Sequence, residues 1–192
     1  MRVFIFVFKE DFAMAVKAEL MDESAVKRSI ARITHEIIER YRGVENLVLI
    51  GIKRRGLPIA KMIADNISRF ENADVPVGCI DITLYRDDIS KVSPEPEASG
   101  AHIPVDINGK CVILVDDVIC TGRTARAAIE CIFAHGRPAS IGLAVLIDRG
   151  HRELPLRPDF VGKNIPTSKS EFIAVRVPEF DGDTRVLLCD AD

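Results

Sequence analysis

No segment of this sequence approaches the ~18 consecutive apolar residues that span a bilayer. The N-terminal run Val3–Phe8 is only six residues long and runs into Lys-Glu-Asp, with no small-residue cleavage site, so neither a membrane span nor a secretory signal is expected. The five cysteines (79, 111, 120, 131 and 189) are odd in number and contain no Cys-x-x-Cys pair; Cys79, Cys111 and Cys131 lie in apolar runs. This pattern argues against a disulfide framework and for reduced, mostly buried thiols in a cytoplasmic protein. The strings G-x-x-x-x-G-K-[ST] and G-x-G-x-x-G are both missing, which removes the usual support for a nucleoside triphosphate or a dinucleotide. There is no internal repeat and no low-complexity tract. Positive charge is not in excess either: 26 Lys and Arg stand against 29 Asp and Glu, a net charge of -3. Bulk charge therefore does not draw this chain to nucleic acid, although a local basic patch is left open.

What is present is an ordinary globular composition, 47% hydrophobic and 29% charged over 192 residues, enough for one well-buried domain. The N-terminal stretch reads either as an extra edge strand or as upstream sequence before a domain opening at Met14. Residues 22–43 predict a helix capped by Asp22 or Ser24 and stopped at Gly43. Its apolar positions Val26, Ile30, Ile33, Ile37 and Tyr41 recur on one face. Residues 46–52 read as a buried strand, 56–70 as a helix entered through Pro58, and 75–85 as a strand. The polar, Pro- and Gly-containing stretch from 86 to 109 reads as a functional loop. A strand over 110–118, a helix over 124–136 and a strand over 140–148 follow. This alternation predicts an α/β fold: a central, mostly parallel sheet flanked by helices, with ligands beyond the carboxyl ends of its strands.

The stretch VILVDDVICTGRT (112–124) is the most informative. The strand is expected to end at Val115, which puts Asp116 and Asp117 at the binding edge. Cys120-Thr121-Gly122-Arg123-Thr124 then leads into a helix whose first N–H groups, with two threonine hydroxyls, suit a phosphate monoester. Two carboxylates cannot bind phosphate, but they suit vicinal sugar hydroxyls or a cation held through water. Together the two halves describe a ribose 5-phosphate.

These residues resemble the phosphoribosyl-diphosphate (PRPP) signature of the type I phosphoribosyltransferases. HEIIER, GIKRRG, DITLYRDD and DRGHRELPLRPDFVGKNIPTSKSE extend the likeness, from about Ala18 to Arg185, to the PyrR family of pyrimidine-operon attenuation regulators with uracil phosphoribosyltransferase activity. The resemblance implies the type I phosphoribosyltransferase fold with a small hood, one domain over 18–192 with an N-terminal extension over 1–17, and a flexible loop at about 86–106.

It also implies roles for individual residues. Asp116 and Asp117 would bind the PRPP ribose hydroxyls near a magnesium ion. Val118, Ile119, Cys120, Thr121, Gly122, Arg123 and Thr124 would complete the PRPP site. Lys53, Arg54, Arg55 and Gly56 would meet the diphosphate, with Arg86 joining when the loop closes; as an isolated string these cations would read as solvated charge. Val161, Gly162 and Ile165 mark the uracil-reading region. The implied reaction is displacement of diphosphate from C1 of PRPP by N1 of uracil, giving UMP. Cys120 stands where purine-salvage relatives carry an Asp and where PyrR proteins usually carry Tyr, so no general base is assigned; Asp148 stands where those relatives use Lys.

For a second activity, the resemblance implies binding of a pyr-operon leader mRNA stem-loop, modulated by UMP or UTP. Arg32, His35, Arg40, His151, Arg152, Arg157 and Lys163 match the RNA-binding face; Arg28, Glu39 and Arg42 share the helix stripe. From charge alone these would read as a solvated helix face and scattered loop charge. His102 and His135 read as structural, and no metal cluster is evident. The resemblance further implies homodimers able to form homohexamers, with the apolar face of the first helix and Val3–Phe8 as subunit contacts. Two alternatives stay open: a salvage-only phosphoribosyltransferase, and an RNA-binding regulator with vestigial catalysis.

Overall fold

The computed structural model describes residues 6–9, 12–82 and 100–190. Arg86, the end of the strand predicted over 75–85 and most of the loop predicted at 86–106 lie outside the described residues. Strands β1 (Phe6–Lys9) and β2 (Phe12–Met21) are followed by α1 (Glu23–Tyr41), β3 (Leu47–Ile52), α2 (Gly56–Glu71) and β4 (Val77–Ile80). After residue 100 come β5 (Cys111–Ile119), α3 (Arg123–His135), β6 (Ser140–Asp148), β7 (Phe160–Asn164), β8 (Glu171–Arg176), the short α4 (Pro178–Asp181) and β9 (Arg185–Asp190).

Five strands form one parallel sheet in the order β4-β3-β5-β6-β7. Both faces are covered, so β3 is buried throughout and Val112–Val115 show no exposure; parallel sheets need such uninterrupted apolar runs. One core holds α1 and α2 against Leu49, Ile113, Val115 and Leu146. A second holds α3 against Val48, Ile50, Val112 and Leu114. An antiparallel sheet, β1-β2-β9-β8, forms the hood, and Met21, Val175, Val177 and Val186 carry its inner face into the first core. Lys17 clasps the hood from outside, bonded to Glu171 (2.8 Å) and Asp190 (3.3 Å), and with the Ser168 N–H it holds the Glu171 carboxyl down to about 2.

Helix α1 starts where its cap predicts: the Asp22 carboxylate accepts from the Ala25 N–H at 2.7 Å. It stops where Arg42 turns left-handed (φ 56°) before Gly43 (φ 125°). Its apolar face is not available for subunit contacts: Val26, Ile30, Ile33 and Ile37 are at most 2% exposed inside the chain's own core. That expectation is corrected, because a stripe which covers a sheet is satisfied without a partner. All five cysteines are free thiols, Cys131 and Cys189 fully buried; burial and the Asp190 charge push the Cys189 thiol up. Among the described residues no helix is long and apolar enough to cross a membrane.

Candidate functional site

Strand β5 does not stop at Val115. It pairs with β6 through Val118↔Ile147 and Ile119↔Asp148, so the acids lie within its last turns of ladder rather than beyond it. Something does change at them. Ile113 and Val115 face the first core and Val112 and Leu114 the second, yet Val118 packs into the first and Ile119 into the second. The alternation of a strand reverses across Asp116-Asp117. The N–H of Asp117 donates to the Asp116 carboxylate (2.9 Å) and that of Val118 to the Asp117 carboxylate (2.8 Å), which fixes both side chains by their own backbone. Desolvation, and then the neighbouring Asp117 charge, push the Asp116 carboxyl well above its ordinary value.

Asp116 lines a small cleft of about 80 Å³ with Cys120, Thr121, Gly122, Thr124 and Ala125, floored by Val118, Ile119, Leu143 and Val145. Gly122 (φ 92°) begins α3 with no side-chain cap, so the helix start is open to a ligand. Thr121 Oγ1 accepts from the Arg123 N–H at 3.3 Å. The loop is walled by a segment that sequence reasoning missed: Glu153 pairs with Arg123 (2.8 Å), and the Glu153 and Leu154 N–H groups both donate to the Thr121 carbonyl.

The turn from β3 into α2 packs tightly. A Cβ on Gly56 would lie 2.3 Å from the Val115 carbonyl oxygen, and one on Gly51 would lie 2.4 Å from Leu57 Cα. The peptide between Lys53 and Arg54 is cis. Lys53 and Arg54 are exposed at this edge. Arg55 is directed elsewhere: its guanidinium bonds both oxygens of Asp181 (3.0 and 3.3 Å) on α4. Asp181 also accepts the Val177 N–H at 2.9 Å, so Arg55 ties the turn to the hood. The guanidinium expected to meet the diphosphate is thus engaged here by Asp181 through one of its nitrogens. Asp181→Ala should remove a partner from Arg55 and from the Val177 N–H together. A loss of about 1–3 kcal/mol is expected, read as a shifted urea midpoint with an unchanged slope.

The uracil-region residues divide. Val161 and Gly162 sit early in β7, where their carbonyls accept from the Arg32 guanidinium at 2.8 and 2.7 Å. Ile165 follows the strand and bonds the Asp148 carbonyl (2.8 Å), so of the three it alone reaches the carboxyl edge. Asp148 is fixed by Arg152 and by the Gly150 N–H.

Among the basic residues, α1 lies along β7 in the opposite sense. Arg40 pairs with Asp159 (2.9 Å) over the Phe160 ring, Arg32 grips the strand's middle and also pairs with Glu36, and Lys163 reaches the Leu20 carbonyl at 3.3 Å. Arg28, Ser29, Arg32 and Lys163 line a shallow hollow there with Met21, Ala25 and Gly162. His35 stacks on Phe70 with ring centroids 4.2 Å apart. His151 bonds the Thr167 carbonyl and Arg157 is exposed, both on the β6–β7 connection. Arg152, from the same connection, turns inward to the Cys120 and Leu156 carbonyls. His102 pairs backbone to backbone with Cys79, and the His135 ring bonds the Cys131 carbonyl.

A family profile described as a phosphoribosyl transferase domain matches residues 17–179. The bifunctional protein PyrR of Acetivibrio thermocellus is 57% identical over 179 residues, covering 93% of this chain and 97% of that one. PyrR of Thermus thermophilus is 53% identical over 179 residues, covering 93% and 99%. Among solved structures, a hypoxanthine-guanine phosphoribosyltransferase from Bacillus anthracis superposes with a TM-score of 0.68 at 22% identity, covering 92% of this chain and 99% of that one. The hypoxanthine phosphoribosyltransferase of Trypanosoma cruzi does so with 0.69 at 20% identity, covering 92% and 98%. At that identity the structures establish the shared fold alone, the type I phosphoribosyltransferase fold, whereas the sequence relatives establish kinship: the chain belongs to the PyrR family of phosphoribosyl transferase-domain proteins.

Proposed function

We propose that the chain is a pyrimidine-responsive regulator of pyr-operon attenuation that binds the leader mRNA stem-loop and also converts uracil and PRPP to UMP and diphosphate. The observation that carries this reading is the carboxylate pair fixed by its own backbone immediately before the open start of α3, in a chain 57% identical to a bifunctional PyrR.

Thr121–Thr124 receive the 5-phosphate, with N–H groups and hydroxyls as donors. Asp116 and Asp117 accept from the ribose hydroxyls. Lys53, Arg54, the Gly56 backbone and Arg86 meet the diphosphate, whose charge must be stabilised as the C1–O bond breaks. Uracil is held beside Ile165, and its N1 displaces the diphosphate through an oxocarbenium-like transition state. That chemistry leans on the leaving group, in keeping with a cysteine at position 120 in place of an acid. Among the described residues no three His, Cys, Asp or Glu gather to hold a metal; a two-carboxylate set fits an ion that arrives with PRPP. Magnesium so bound supplies charge neutralisation to the diphosphate.

RNA lies across α1 and the β6–β7 connection, contacting His35, Arg40, His151, Arg157 and Lys163, with Arg32 and Arg152 behind them. UMP and UTP are the nucleotides that set the affinity, and the protein acts in the cytoplasm as a homodimer or homohexamer. A labelled pyr-leader stem-loop, titrated with and without UMP at two salt concentrations, tests the reading. UMP is expected to tighten binding, and a fourfold rise in salt to weaken it by about ten- to a hundredfold, as several phosphate contacts require. No binding above a scrambled hairpin leaves a salvage enzyme; binding without diphosphate release from uracil and PRPP leaves a regulator with vestigial catalysis.

A further inference from the structure

The peptide planes of the phosphate loop are set from behind. An N–H can point at a bound phosphate only if the carbonyl of the same trans peptide points away from it. In the Cys120–Thr121 peptide, the carbonyl is held away by Arg152 Nη1 at 2.8 Å. In the Thr121–Gly122 peptide, it is held by the N–H groups of Glu153 (3.0 Å) and Leu154 (3.1 Å). Arg152 itself is fixed at three points, because its Nε donates to the Leu156 carbonyl (2.9 Å) and its Nη2 to the Asp148 carboxylate. The Arg123–Glu153 pair closes the same unit from the other side. A phosphate drawn in by these N–H groups therefore also fixes residues 152–156. His151 and Arg157, the exposed residues flanking that segment, belong to the proposed RNA face.

From this geometry we infer that Arg152 is a positioning residue rather than an RNA contact: it orients the phosphate loop, and through residues 152–156 it couples nucleotide binding to RNA binding. The inference rests on the regulatory reading above and adds the physical link that the reading needs. Nucleotide and RNA each favour the arrangement in which the Cys120 and Thr121 carbonyls are turned back. Each must then raise the affinity of the other by the same factor.

Arg152→Lys is the discriminating variant. It keeps the positive charge but replaces a planar fork, whose three nitrogens each meet a different acceptor, by a single ammonium nitrogen. For Arg152→Lys and Arg152→Gln, the KM for PRPP is expected to rise about 5- to 20-fold while kcat changes less than about threefold. The enhancement of hairpin affinity by UMP should fall below about twofold, with the UMP-free affinity of Arg152→Lys within about threefold of wild type. The inference is overturned if Arg152→Lys keeps both the PRPP KM and the UMP enhancement. It is equally overturned if hairpin affinity weakens by one factor with and without UMP while the KM is untouched, which is the mark of a plain RNA contact. Should both variants fail to fold, Glu153→Gln decides at an exposed side chain: a PRPP KM raised at least about twofold supports the interlock, and a wild-type value overturns it. A wild-type protein that ignores the hairpin sinks the regulatory reading and the coupling with it, while the KM arm separately decides whether Arg152 positions the loop.

Discussion

Exchanging Asp116 and Asp117 together for asparagine is expected to lower kcat/KM for PRPP by about 10²–10³-fold, measured as diphosphate release with uracil in excess. Asparagine keeps an oxygen for the Asp117 and Val118 N–H groups, so the strand end should survive while the charge that meets the ribose and its ion is gone. The single variant Asp116→Asn separates function from stability. Burial and the Asp117 charge raise the Asp116 carboxyl, so the folded chain binds a proton there more readily than the unfolded one. Such a group favours the folded state at low pH, and that advantage drains away as pH rises from the ordinary carboxylate value through the raised one. Asp116→Asn should therefore melt higher than wild type at pH 7, with the gap closing as pH falls through the raised value and gone by about pH 4, the ordinary carboxylate range. Wild-type and variant melting curves that stay parallel across this range would contradict the burial cost assigned to Asp116.

Gly56→Ala carries the largest expected structural effect. The added methyl, fixed directly to the backbone of α2, would lie 2.3 Å from the Val115 carbonyl oxygen, a backbone atom of β5. Neither side has a flexible end to yield, so α2 must lift away from β5. A loss of about 2–4 kcal/mol is expected, lowering Tm by roughly 10 °C for a chain of this size. Lifting α2 also shifts the Lys53–Arg55 turn at its start, so the KM for PRPP should rise even where the variant is fully folded. Calorimetry and PRPP titration at 20 °C check the two effects separately. A variant as stable as wild type would mean that the contact between α2 and β5 is looser than these distances require.

Much of this fold could be read from the chain because its main sheet is covered on both sides. Residues 47–52, 112–115 and 141–147 carry no polar side chain for that reason, and the α1 stripe of Val26, Ile30, Ile33 and Ile37 is buried in the first core as its spacing predicts. The hood was less legible. Strands β2 and β9 pair Ala15 with Asp190 across nearly the whole chain, and no local period announces a partner so far away. Of the two ends read for this strand, 118 lies next to the observed Ile119 and Val115 falls short: two acids look like an exit, whereas the ladder to β6 holds them in place. Within the site, the sequence displayed the cations but not their destinations. Arg55, Arg32 and Arg152 each appear as a free positive charge in one dimension; in three they meet Asp181, the β7 carbonyls and the back of the phosphate loop. Charge type is a local property, and the partner is set by topology.

The grip of Arg32 on the Val161 and Gly162 carbonyls has a counterpart at the opposite end of the sheet. There His102 and Cys79 exchange two backbone hydrogen bonds along the outer side of β4. Open sheet ends are the places where like strands join between molecules. Here one end is closed by a guanidinium and the other by a stretch of the chain itself. Neither end of the five-stranded sheet therefore offers an unbroken row of backbone groups to a like strand, and that sheet is kept from growing into its neighbour.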